Sequence, residues 1–78
     1  MVYKDIEFDL AEFGRALKFW RVTNHMTQSE LAERLFVSQQ YVSLLERGVS
    51  LPDLTYFFNF LNVFDIDVYA FFFKSISD

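Results

Sequence analysis

The sequence predicts an all-α domain, a compact arrangement of five short helices, and three observations lead there. Side-chain oxygens stand immediately before apolar-periodic stretches at Asp9, Thr27, Ser38, Asp53 and Asp67, where a helix needs partners for its free N–H groups. Within the stretches, apolar residues return every three or four positions, as on one face of a helix. Between them fall the residues that stop helices, Gly48 and Pro52 above all. The spans expected are 10–23, 28–35, 39–47, 54–64 and 68–73, in a single domain covering 1–78.

Residues 1–8, MVYKDIEF, form an N-terminal arm. Their partial alternation suits a short strand, and an arm that packs Phe8 on the domain suits them equally. Asp9 and Glu12 make a capping-box pattern that opens the first helix. Leu10, Phe13, Ala16, Leu17 and Trp20 form its apolar stripe, and Arg15, Lys18 and Arg21 fall largely off it. The helix should fade at Thr23-Asn24-His25, before the Thr27 cap.

Thr27 and Glu30 form a second capping box, and Leu31 and Leu35 share a face at i, i+4. Ser38 caps a third helix with Val42 and Leu45 inward, and Gly48 follows as the residue able to take a left-handed conformation. Helices of about eight residues are unstable alone in water. They must pack together, here through Leu31, Ala32, Leu35, Val37, Val42 and Leu45, with Ala32 small enough for a close crossing. These are the requirements of a helix-turn-helix spanning 27–47. TQSELAERL, then VSQQYVSLLERG, then a proline resembles the phage repressor/Cro-type (XRE-like) helix-turn-helix family over roughly Phe13 to Phe72. Two positions depart from the family pattern. Phe36 stands where relatives carry a turn glycine, which implies about 1–2 kcal/mol of strain if the position is left-handed. Leu44 stands where many relatives are polar.

Asp53 caps a fourth helix beyond Pro52. Leu54, Phe57, Phe58, Leu61 and Phe64 read as its inward stripe, and Tyr56, Phe60 and Val63 as a second, outward one. Asp67 caps the last helix, with Val68, Phe71 and Phe72 inward and Tyr69 and Phe73 outward. Residues 74–78 read as a tail. A helix apolar on two faces has two things to bury against, so Tyr56, Phe60, Val63, Tyr69 and Phe73 are the expected dimer interface.

Function follows from the resemblance and the residue chemistry together. Gln39, Gln40, Ser43 and Leu44 are the expected base contacts, because glutamine can pair bidentately with adenine in the major groove. Thr27, Gln28 and Ser38 lie at helix N-termini that favour a phosphate. The resemblance implies that Gln28 and Arg47 hold phosphates, with Tyr41 as a further contact. It also implies a partly buried ion pair between Arg21 and Glu46.

The 78 residues carry a net charge of −4, unevenly spread. Lys4 stands against Asp5, Glu7, Asp9 and Glu12 at the start, and Lys74 against Asp53, Asp65, Asp67 and Asp78 at the end. The basic residues Arg15, Lys18, Arg21, Arg34 and Arg47 collect in the middle, opposed only by Glu30, Glu33 and Glu46. That placement suits nucleic acid better than the net charge does.

No cysteine is present, and His25 is the only histidine, so no metal ligand set or disulfide is expected. No hydrolytic triad or Gly-rich phosphate loop can be assembled. The expectation is a non-enzyme without cofactor, cytoplasmic, with no apolar run of the roughly 18 residues that span a bilayer. Two functions fit. One is a dimeric repressor reading a double-stranded operator with helix 39–47 in the major groove. The other is a protein-interaction module, antirepressor or antitoxin-like, that binds a protein partner through its Phe-rich second half.

Overall fold

A computed structural model describes residues 9–76, with side-chain surroundings through Phe72. The expected N-terminal arm and the outward Phe73 lie outside what is described. Five helices and no strand occur among the described residues: α1 Leu10–Thr23, α2 Gln28–Leu35, α3 Gln39–Glu46, α4 Leu54–Phe64 and α5 Val68–Ile76. None is long and apolar enough to cross a membrane. α3 ends one residue earlier than expected. α5 continues through the start of the expected 74–78 tail.

Each helix begins on a side-chain oxygen three residues before the N–H it accepts. Asp9 takes the Glu12 N–H at 3.1 Å, Ser38 that of Tyr41 at 3.0 Å, and Asp53 and Asp67 those of Tyr56 and Ala70, both at 2.8 Å. At α2 the box is reciprocal: Thr27 Oγ1 accepts from the Glu30 N–H at 3.0 Å, and Glu30 Oε1 accepts from the Thr27 N–H at 2.8 Å. Each such cap contributes about 0.5–2 kcal/mol.

The first four helices also end alike. A left-handed residue, His25, Phe36, Gly48 or Asp65, follows the last turn. The next N–H reaches back to a carbonyl of the last turn: Met26 to Arg21, Val37 to Ala32, Val49 to Leu44, Ile66 to Leu61. This double-bonded ending consumes the orphan acceptors and turns the chain sharply. Met26, Val37 and Ile66 then point an apolar side chain into or against the core, so each turn is also a packing contact.

One core joins the elements. Phe13, Ala16 and Leu17 of α1 meet Leu31, Ala32 and Leu35 of α2, Val42 and Leu45 of α3, Tyr56, Phe60 and Leu61 of α4, Ile66, and Phe71 of α5. Gly14 lets the α1 backbone press on the last turn of α3, a Cβ there falling 2.6 Å from the Leu45 carbonyl oxygen. Fully buried Phe71 brings its ring 5.2 Å from Phe57, 5.7 Å from Phe13 and 6.1 Å from Phe60. Trp20 Nε1 donates to the Phe71 carbonyl at 3.4 Å and ties α5 to α1.

The helix faces of the second half require correction. Tyr56 and Phe60, expected on an outward dimer stripe, are 5% and 0% exposed and belong to the core, and Val63 is half-buried against it. Leu54 and Phe58, expected inward, are instead 71% and 52% exposed. Thr55, Asn59 and Asn62 put an exposed polar stripe on α4, and the core takes the arc opposite it, between the two expected stripes: Tyr56, Phe57, Phe60, Leu61 and Phe64. In α5, Phe71 is inward as expected and Tyr69 is exposed, while Val68 faces out and Phe72 lies at the rim.

Candidate nucleic-acid interface

α2 and α3 pack across the small side chain of Ala32, which is 3% exposed, with Leu31, Leu35, Val42 and Leu45 closing the contact. The turn between them runs through Phe36 at φ 58°, ψ 43°, left-handed despite its bulk, and the phenyl ring is 94% exposed. The turn therefore keeps the shape a glycine would allow, at the strain expected of a non-glycine residue.

With Val42 and Leu45 buried, the opposite flank of α3 faces away from the protein. Gln39 and Gln40 stand exposed in its first turn, and Ser43 and Leu44 follow one turn on, both half-buried. Ser38 and Thr27 use hydroxyl oxygens as cap acceptors, which leaves each O–H as a donor. Arg47 is exposed at the C-terminus of α3. Tyr41 is half-buried, its ring edge-on to Tyr56 at 5.3 Å, so its role is partly in packing.

A charged network lies beneath this surface. Arg21 Nε and Nη2 donate to Glu46 Oε2 and Oε1 at 2.7 and 3.0 Å, and Arg21 Nη1 donates to the Met26 carbonyl at 2.7 Å. Both residues are buried, at 8% and 7% exposure. Removing either partner would strand a charge in a poorly solvated place. Gln28 Nε2 also donates to Glu46 Oε1, at 3.1 Å. One carboxylate thus joins α1, α2 and α3, and Arg21 adds the loop after α1. No buried side-chain nitrogen or oxygen among the described residues lacks a partner.

The electrostatics agree with this packing. Burial first, then the negative charge of Glu46, push the Tyr56 phenol well above its usual range, so it stays neutral at any ordinary pH. The Glu30 carboxyl is held below its ordinary value, first by the Thr27 backbone N–H and then by its side chain. No group of three or more metal-ligating side chains occurs among the described residues.

The structure brings Gln28, Arg21 and Glu46 together, and leaves Gln39 and Gln40 exposed in the first turn of α3. Sequence reasoning missed the Gln28–Glu46 bond, which spans eighteen positions and has no local signature. It also missed Gly14, a helix-interior glycine whose use appears only once α3 is in place.

Against known proteins, the helix-turn-helix family HTH_3 matches residues 17–71. Among solved structures, the restriction-modification controller protein C.AhdI from Aeromonas hydrophila is 29% identical, with a TM-score of 0.72 over 76% of this chain and 89% of that one. The clp gene regulator ClgR from C. glutamicum is 26% identical, with a TM-score of 0.78 over 90% and 94% of the two chains. The fold is also that of C.Esp1396I bound to a 25 base pair operator site, at 22% identity and a TM-score of 0.75 over 91% and 93%. No curated protein sequence matches the chain.

Proposed function

The chain belongs to the HTH_3 helix-turn-helix family, and on that premise we propose that it is a sequence-specific DNA-binding transcriptional regulator, a dimeric repressor that reads a double-stranded operator with α3 in the major groove. The observation that carries this reading is the exposed first turn of α3. Gln39 and Gln40 project there from a helix whose other flank is locked by Val42, Leu45 and the Arg21–Glu46 pair. A rigid helix with two amide side chains at its leading end has the chemistry for bidentate contacts to adenine. Ser43 and Leu44 extend the face. The N-termini of α2 and α3, with Thr27, Gln28 and Ser38, supply N–H and O–H donors for phosphates, and Arg47 adds a charge. The likeness to C.AhdI and to operator-bound C.Esp1396I supports the same reading.

For dimerisation, exposure moves the candidate face. Leu54 and Phe58 of α4 and Val68, Tyr69 and Phe72 of α5 are exposed. The Phe57 ring lies 6.1 Å from Phe58 and 6.2 Å from Phe72, so both of those exposed rings neighbour it. Burying several large apolar side chains on each protomer, at about 1.5–3 kcal/mol each, is sufficient to drive association. A two-fold pairing through this face would set two recognition helices on half-sites about 34 Å apart. The same apolar face favours a second reading, in which it binds a different protein and the fold serves as an interaction module.

Sedimentation at tens of micromolar, with and without a selected duplex, separates the two. A wild-type dimer that Phe58→Asp converts to a folded monomer with weakened operator binding supports the first. A wild-type monomer that binds DNA no more tightly than Phe58→Asp does removes the dimer.

A further inference from the structure

Gln28 reaches Glu46 with the same side-chain amide that the DNA-binding reading aims at a phosphate. We infer that Glu46 is a positioning residue for phosphate binding. Its carboxylate fixes the Gln28 amide so that one Nε2 hydrogen is spent inside the protein and the other is presented outward, beside the open N-terminus of α2. The inference rests on the proposed DNA binding and deepens it.

Three features support the assignment. The first concerns the acceptor. A glutamine amide has a donor end and an acceptor end, and the acceptor end would repel a phosphate. A carboxylate accepts only, so at 3.1 Å it selects the orientation that brings Nε2 to it. The second concerns charge. A carboxylate near DNA would itself repel phosphates, but Arg21 binds both oxygens of Glu46, at 2.7 and 3.0 Å, so the pair is neutral toward solvent. The third concerns the neighbouring donors. Helix geometry leaves the first N–H groups of α2 unpaired within the helix, and Thr27 takes only that of Glu30. The Gln28 and Ser29 N–H groups therefore flank the held amide, and together they form a preorganised set of donors for one phosphate. Arg21 and Glu46 then do more than join α1 to α3: they set the rotamer of a DNA-contacting side chain.

The test compares the effect of Gln28→Ala in two backgrounds, wild type and Arg21→Met/Glu46→Met. The double substitution replaces a buried pair by apolar side chains of similar length, which folded proteins tolerate, and leaves Gln28 without its acceptor. Binding is measured by fluorescence anisotropy on a mixed-sequence duplex of about 25 base pairs at low salt. In wild type, Gln28→Ala is expected to weaken binding about tenfold, as for loss of a hydrogen bond to a charged group. In the Met/Met background it is expected to weaken binding less than about threefold. An equal factor in both backgrounds overturns the role of Glu46 and leaves the phosphate contact standing. No effect in wild type overturns both, and a wild type that fails to bind any duplex overturns the DNA-binding reading itself.

A second measurement needs no variant of the buried pair. In the free wild-type protein, the Gln28 Nε2 proton that faces Glu46 should be shifted from its usual position and protected from solvent exchange, and only the other should shift on adding the duplex. Two protons with the positions and exchange rates of a solvent-exposed glutamine would overturn the proposal.

Discussion

Gly14 and Glu46 approach each other more closely than any side chain at residue 14 would permit: a Cβ there would stand 2.7 Å from the Glu46 carbonyl oxygen. The neighbour is backbone at the end of α3 and cannot rotate aside. Gly14→Ala therefore sets two effects against each other. Alanine favours the helix by about 0.8–1 kcal/mol, while forcing α1 from α3 costs about 1–3 kcal/mol. The clash should win. A thermal melt followed by circular dichroism should show a Tm lowered by several degrees, and a raised Tm would show that α1 and α3 can separate freely.

The Arg21–Glu46 pair predicts a non-additive mutant series. Arg21→Met alone leaves Glu46 buried and uncompensated, at a cost of about 3–5 kcal/mol. Arg21→Met/Glu46→Met should recover most of that stability in urea titrations. A double variant as unstable as the sum of its singles would mean that the two side chains act independently.

Phe36 predicts a stabilising substitution. Its left-handed backbone costs about 1–2 kcal/mol, and a side chain 94% exposed contributes little burial in return. Phe36→Gly relieves the strain while adding about 0.5–1 kcal/mol of backbone entropy cost. The net expectation is a gain of up to about 1.5 kcal/mol, read as a higher urea midpoint at unchanged slope. A loss would indicate that the ring is engaged in solution.

Two groups set the pH dependence, with opposite signs. The folded-state pKa of Glu30 is depressed, so its contribution is complete above the ordinary carboxylate range and is lost as pH falls through the lower folded value. The stability gap between wild type and Glu30→Gln should therefore be constant near neutrality and close in acid. The folded-state pKa of Tyr56 is raised, so its contribution is complete below the usual phenol range, near pH 10, and is lost as pH climbs above it. Tyr56→Phe should flatten the alkaline side of the stability profile. An unchanged alkaline slope in that variant would assign the loss to other groups.

What could be read in the sequence was what is local. Asp9, Thr27, Ser38, Asp53 and Asp67 announce helix starts because a capping oxygen acts within three residues of itself, and all five cap as expected. The core of the two short helices was equally plain, since each is polar on one side. Helix endings were harder. His25, Phe36 and Asp65 take the left-handed position that glycine normally marks, and only the apolar residue after each, Met26, Val37 or Ile66, hints at the motif. The orientation of α4 was legible but missed. Thr55, Asn59 and Asn62 form a polar stripe at i, i+4, i+7 that adjoins exposed Phe58 and lies opposite the buried arc around Phe57, Phe60 and Phe64. The Gln28–Glu46 contact, by contrast, depends on tertiary packing.

The central claim is that the exposed turn of α3 reads bases. Selection of binding sites from a pool of randomised duplexes tests it most directly, run in parallel with wild type and with Gln39→Ala/Gln40→Ala. Wild type should enrich two inverted half-sites about one helical turn apart. The variant should lose that motif, at about 1–3 kcal/mol of discrimination for each bidentate pair removed, while it still binds unselected duplex. Enrichment of the same motif by the variant would contradict the account and place the recognition surface elsewhere.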